Sequence, residues 1–223
     1  MKYLLLTLFS FILLLDGCAN IPTSHPTFLS SGNIRVGKSI KTWKELREQN
    51  VIMQKRDYSC GAAAIATLMR HYFQDDITEK EILDNITSGL NEVELKKRKK
   101  KGFSLLDLKK FAERRGYIAM GTKLKLSSLP KLRGPVLVFL DLKDYKHFAI
   151  LRGIKGNRVF IADPSRGNMR MSIDKFAEEW AGVTLVLGKK GFKTPTEYPL
   201  KIQEDELIRP ERMAIRRRLG MGW

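Results

Sequence analysis

Metal and redox chemistry have little to work with in this chain. Two cysteines and three histidines are scattered through 223 residues, and their spacing matches no zinc or other metal-binding pattern. A G-x-x-x-x-G-K-[ST] phosphate loop is missing, which excludes the commonest nucleotide-hydrolysing engine, and no cofactor is expected. The apolar run Tyr3–Leu15 falls short of the roughly 20 residues that a transmembrane helix needs. No internal repeat or low-complexity segment is evident, which removes solenoids and arrays. Acidic residues are few beside basic ones, 24 against 41, leaving a formal charge of +17. Such an excess draws a protein toward anionic surfaces: acidic lipid, lipopolysaccharide, acidic cell-wall polymer or an acidic protein partner.

What is present begins with an address. Met1-Lys2 gives a short positive start, and the apolar run behind it suits the core of a signal peptide. Leu15-Asp16-Gly17-Cys18 resembles a bacterial lipoprotein signal, in which the cysteine becomes the acylated N-terminus. Leu15 and Gly17 fit that pattern, whereas Asp16 stands where a small or hydroxyl residue is usual. The reading is a lipoprotein-type signal peptide over residues 1–17 with lipid attachment at Cys18; ordinary cleavage near Ala19, giving a periplasmic or secreted protein, is the alternative. Each buried acyl CH₂ contributes about 0.8 kcal/mol, so several chains anchor stably. Residues 18–45, punctuated by Pro22, Pro26 and Ser30-Ser31-Gly32, read as a tether. The expected location is the bacterial cell envelope, with the membrane engaged through the anchor and the basic surface. Nucleic acid is not expected as a partner, because the chain reads as exported and carries no nucleic-acid module.

Cys60 carries the chemistry. Gln54 precedes it, and Gly61-Ala62-Ala63-Ala64-Ile65-Ala66-Thr67-Leu68-Met69 follows, a helix-forming run that places the thiol at a helix start. Far downstream His147 opens an apolar strand-like run, and Asp163-Pro164 closes another. A thiol at a helix N-terminus, a distant histidine and a later acid form the layout of a papain-type cysteine peptidase. In that layout Cys60 attacks a peptide carbonyl, His147 protonates the leaving amine, and Asp163 holds the imidazole in orientation. Gln54 and the Cys60 N–H would stabilise the oxyanion, where losing one donor costs about 100- to 1000-fold in rate. The other histidines do not compete. His71 lies on the same helix face as Cys60, about 16 Å away along the axis, and His25 sits in the tether.

The strings Gln54-Lys55-Arg56-Asp57-Tyr58-Ser59-Cys60-Gly61-Ala62-Ala63, His147-Phe148 and Ile161-Ala162-Asp163-Pro164-Ser165-Arg166-Gly167 resemble the bacteriocin-processing (double-glycine) papain-like cysteine peptidase family. Met169-Arg170-Met171-Ser172, Phe176 and Trp180 continue the pattern, over roughly residues 47 to 188. The resemblance implies that Gln54 serves the oxyanion hole and that Cys60, His147 and Asp163 form the triad. It also implies cleavage after Gly-Gly. The best-known members are front ends of ATP-driven exporters; this chain lacks their phosphate loop and reads as a stand-alone exported member.

The body reads as one α+β domain over residues 46–188. A helix is expected from Cys60 to Tyr72, a short one after the capping-box pattern Thr78–Glu81, and another after Ser104, stopped near Gly116. Val136–Leu140, His147–Ile154, Arg158–Ala162 and Thr184–Leu187 read as strands, and Ser172 caps a last helix with Phe176 and Trp180. Helices first and antiparallel strands afterwards set a helical N-terminal half on a C-terminal sheet, with substrate between them. Two basic stretches stand apart. Lys96–Lys101 is a run of six positive charges that reads as a solvated loop, and residues 189–223 read as a tail ending near Arg216-Arg217-Arg218.

The function expected is therefore an exported, lipid-anchored cysteine endopeptidase acting on a peptide or protein substrate through an acyl-enzyme. A non-processing peptide-binding or assembly factor for an exported partner, built on the same fold, is the alternative. Transpeptidation through the same acyl-enzyme is a third outcome. The sequence leaves oligomeric state open.

Overall fold

The computed structural model describes residues 25–31, 34–143 and 145–207. The signal peptide, Cys18 and the Arg216-Arg217-Arg218 cluster lie outside the described residues. The chain divides into two units, residues 1–46 and 47–223. In the first, β1 (His25–Ser31) and β2 (Ile34–Ile40) pair antiparallel, with His25 opposite Ile40. These strands fall in the stretch whose prolines and serines read as a tether.

A six-stranded antiparallel sheet organises the second unit. It comprises β3 (Tyr117–Lys123), β4 (Val136–Leu142), β5 (Tyr145–Lys155), β6 (Arg158–Asp163), β7 (Gly167–Ser172) and β8 (Val183–Lys189), in the order β3-β8-β4-β5-β6-β7. Its central strands are continuous apolar runs rather than alternating ones, because both faces are covered. On one face Leu137, Ile150 and Leu185 pack against α2 (Cys60–His71), α3 (Glu79–Thr87) and α5 (Leu105–Arg114) through Ile65, Leu68, Ile82 and Phe111. On the other, Val138, Leu151 and Ile161 meet Phe176 of α6 (Ile173–Glu179) and Trp180 at its C-cap. The papain-like α+β arrangement is as the order of helical and strand patterns indicated.

The helix starts have local causes. Thr78 with Glu81 forms the capping box read from the sequence, and Ser104, read as a helix start, forms another with Asp107. A third box, Asn91 with Glu94, starts α4 (Glu92–Lys101), so the Lys96–Lys101 run is helical and not a loop. Lysine, arginine and glutamate are good helix formers, and positive charge in the last turn suits the helix dipole. Its apolar pattern is nearly blank, since only Leu95 and Arg98 are even half-buried, which is why periodicity did not reveal it. The short helix α1 (Trp43–Glu48) and the edge strand β3 were likewise not anticipated. Among the described residues no helix is long and apolar enough to cross a membrane.

The described part of the segment read as a tail lies on the domain. Leu200 is buried, and Phe192 and Tyr198 pack edge-on against Tyr72. Arg152 of β5, 4 % exposed, donates to the carbonyls of Leu200 and Lys201 and to Asn168 Oδ1. It also grips both carboxylate oxygens of Glu206 in α7 (Glu204–Leu207) at 2.7 Å each. Asn50 Nδ2 donates to Pro199 O at 3.0 Å, tying this strap to the segment that leads to Gln54.

Candidate active site

Cys60 is a buried free thiol in the first turn of α2. Unlike α3, α4 and α5, this helix has no side-chain cap. The Ser59 hydroxyl turns back to donate to Arg56 O at 2.7 Å, and the first helical bond is Ala63 N–H to Ser59 O. The early N–H groups of α2 are left without a side-chain acceptor. The Gly61 backbone lies so close to its neighbours that a Cβ there would stand 3.0 Å from Leu108 and 3.1 Å from Phe148. A side chain at this position would push the helix start away from β5, the strand that carries His147.

His147 Nε2 lies 3.0 Å from Asp163 Oδ1, with both side chains almost wholly buried. The strands explain the meeting. β5 and β6 pair antiparallel with Ile150 opposite Ala162, so the start of β5 and the end of β6 reach the same end of the sheet. Cys60 acts on the same ring, so thiol and carboxylate both favour its charged form. Burial alone would strip the imidazolium of its proton. The hydrogen bonds and negative charge supplied by Asp163 and Cys60 outweigh that and raise the His147 pKa to about 9. Tyr145, half-exposed, sets its ring edge-on against the His147 ring.

Asp163 is both a turn residue and the histidine's partner. Burial pushes its pKa up, but hydrogen bonds and charge from His147, with the donors of Ser165, bring it well below the usual carboxylate range. Oδ1 accepts from Ser165 N–H at 2.8 Å, Ser165 Oγ at 2.7 Å and Arg166 N–H at 3.1 Å. Arg166 adds an ion pair to Oδ2 at 2.7 Å, a contact the sequence reading did not assign although Arg166 lay within the quoted motif. The turn closes through Gly167, at φ +78°, where a Cβ would strike the carbonyl oxygen of Arg47.

Gln54 is fixed from two sides. Its N–H donates to Pro164 O at 2.8 Å, next to Asp163, and its Nε2 donates to Arg56 O at 3.1 Å. Because a carbonyl can only accept, that bond sets which way the amide faces. Arg56 O thus receives both Gln54 and Ser59, which brings the amide to the turn that delivers Cys60. The structure therefore brings Cys60, His147 and Asp163 together and places Gln54 at the turn before them. His71 is half-buried, with its pKa lowered by burial and by Arg70, and takes no part. Among the described residues no group of histidine, cysteine and carboxylate side chains could hold a metal ion.

Beside Cys60 opens a cavity of about 350 Å³. Phe103, Leu105, Phe139, Phe148 and Val183 give it apolar walls, and Lys97, Arg98, Lys101 and Lys146 line it with positive charge. Such a cleft suits an extended peptide with an apolar side chain near the thiol.

Comparison with known proteins identifies the family. The sequence profile of the Peptidase C39 family matches residues 48–191. A Pseudomonas aeruginosa protein described as a probable functional amyloid protease, FapD, is 30 % identical over 183 residues, covering 82 % of this chain and 79 % of that protein. Its counterpart in Pseudomonas fluorescens is 32 % identical, covering 72 % of this chain and 70 % of the other. A solved double glycine motif protease from an AMS/PCAT transporter, in complex with a leader peptide, superposes with a TM-score of 0.51 at 25 % identity, over 63 % of this chain and 94 % of that one. The peptidase domain of Streptococcus ComA shares the fold, with a TM-score of 0.53 at 20 % identity, covering 63 % of this chain and 98 % of the other. On the strength of the profile match and these relatives, the chain belongs to the Peptidase C39 family and is a cysteine peptidase.

Proposed function

We propose that the protein cleaves a peptide bond through a Cys60–His147–Asp163 triad by way of an acyl-enzyme. The observation that carries this is the buried imidazole held 3.0 Å from Asp163, with its charged form favoured by Asp163 and Cys60 together. Cys60 Sγ, its proton held on His147, attacks the scissile carbonyl carbon. The carbonyl oxygen gains negative charge and is met by the second N–H of Gln54 and the uncapped N–H of Cys60. His147 gives its proton to the leaving amine nitrogen, the C–N bond breaks, and a thioester remains. The now neutral His147 takes a proton from water, which attacks the thioester and restores the thiolate–imidazolium pair. Asp163 keeps the ring in one orientation throughout, and Arg166 and Ser165 hold Asp163.

Cleavage after Gly-Gly follows the resemblance to double-glycine peptidases, and the leader-peptide complex of one such protease favours a peptide seated in the cleft beside Cys60. The two relatives named as functional amyloid proteases favour a functional-amyloid protein as the substrate to test first. We place the protein in the bacterial cell envelope, held by lipid on Cys18; the motivating feature is the Leu15-Asp16-Gly17-Cys18 string behind an apolar run. Radiolabelled palmitate incorporation that Cys18→Ser fails to abolish would remove the anchor. The reaction is tested with a Gly-Gly reporter peptide. Cys60→Ala should abolish turnover without loss of fold, and Gln54→Ala should retain about 0.1–1 % of the rate because one oxyanion donor remains. Full turnover by Cys60→Ala would overturn the assignment.

A further inference from the structure

The basic run Lys96–Lys101 has no role in the chemistry, yet it lines the cleft. Lys97, Arg98 and Lys101 of α4 face the cavity that opens on Cys60, and Lys146 of β5 faces it from the sheet. Arg98 is already committed: it pairs with Asp107 at 2.8 Å, which tethers this otherwise exposed helix to the cap of α5. The three lysines are exposed, and none closes an ion pair among the described residues. On their own helix, Val93 and Lys97 lie four residues before Lys97 and Lys101, and the carboxylate of Glu94, three before Lys97, is taken by the Asn91 N–H in the capping box. Lys146 stands opposite Asp141 in the β4–β5 register without reaching salt-bridge distance.

Like charges one helical turn apart are mutually unfavourable. A helix that sets them over an apolar pocket beside a nucleophile is poised for negative charge from outside the chain. We propose, resting on the peptidase reading above, that the substrate segment seated beside Cys60 is acidic. Its apolar side chain enters the pocket between Phe103 and Phe148, and carboxylates before and after it meet Lys97, Lys101 and Lys146. The cleft then selects by charge as well as by shape, and an apolar leader without acidic residues is a poor ligand.

Binding to full-length Cys60→Ala protein tests this without turnover. Three peptides of equal length, carrying a neutral dye, share their apolar residues and a Gly-Gly and differ only in having Glu, Gln or Lys at four intervening positions. Fluorescence anisotropy should show the Glu peptide binding roughly tenfold tighter than the Gln peptide at low salt, the sum of three partly exposed ion pairs. That preference should fade at about 0.5 M salt, where screening shortens to a few ångströms. It should vanish in Lys97→Glu/Lys101→Glu. It should persist in Lys99→Glu/Lys100→Glu, which changes the charge of the same helix equally but off the cleft. Equal affinity for all three peptides, no binding of any, or equal effects of the two double variants would each overturn the proposal. So would anionic vesicles that lose binding selectively with Lys97→Glu/Lys101→Glu while the peptides stay indistinguishable, since that face would then contact lipid. Activation of the Cys60 thiol is measured separately, so loss of the acidic preference and loss of the peptidase reading are distinguishable.

Discussion

His147 and Asp163 titrate in opposite directions because each is the other's partner in a buried place. With its pKa raised to about 9, His147 keeps its proton through neutrality and can serve as the general acid for the leaving amine. Turnover should therefore fall on the alkaline side with an apparent pKa near 9. Asp163→Asn, which removes the negative charge beside the ring, should move that limb down by about one unit or more, as read from a kcat/KM–pH profile. The sign for stability follows from the same shifts. The His147 contribution is complete below the ordinary histidine value near 6.5 and is lost as pH rises through about 9. The Asp163 contribution is present above the ordinary carboxylate value and is lost as pH falls through its depressed one. At this scale the sequence was legible for Cys60, His147, Asp163 and Gln54 because each occupied a recognisable string. Arg166 and Ser59 were legible only as letters, since a contact to Asp163 Oδ2 and an uncapping turn toward Arg56 O depend on backbone geometry that spacing does not contain.

Among the elements, α2 matters most, since its first turn must reach β5. Gly61 permits that approach by leaving room for Leu108 and Phe148. Gly61→Val should cost about 1–3 kcal/mol through overpacking. It should also lower kcat/KM by about 100-fold, because a displacement near 1 Å misplaces the nucleophile. Urea unfolding and kinetics on the same preparation check the two halves. A variant as active as the wild type would show that the close approach does not position the thiol. The sequence announced α2, α3, α5 and the central strands through capping boxes and apolar runs. It hid α4, whose polar face has no period to detect, and β3, whose Ile118 and Met120 point to solvent at the sheet edge.

Across the whole domain the strap from residue 192 to 207 closes the sheet around Arg152. A guanidinium this buried is tolerated because carbonyls and carboxylate satisfy its donors, and removing one partner of such a pair is costly. Arg152→Met should destabilise by about 3 kcal/mol, a fall in Tm of roughly 6–12 °C. Calorimetry reads this directly, and an unchanged Tm would mean the strap is not part of the cooperative unit. The strap was unreadable beforehand because its prolines and charges look like a tail. Only the long-range pairing of Arg152 with Glu206 and of Asn50 with Pro199 O shows what it binds. The order of the elements, by contrast, was enough to specify the α+β layout, since a helical half followed by hairpin-connected strands has few ways to pack.

The central claim is that His147 activates Cys60 as the nucleophile, and one experiment addresses it most directly. The rate of iodoacetamide alkylation, read at Cys60 by peptide mapping, is measured from pH 4 to 9 in the wild type and in His147→Ala. The account predicts fast alkylation in the acidic range in the wild type, shifting in His147→Ala to the profile of an ordinary thiol, whose pKa is about 8.5. The ordinary profile in both proteins would contradict it.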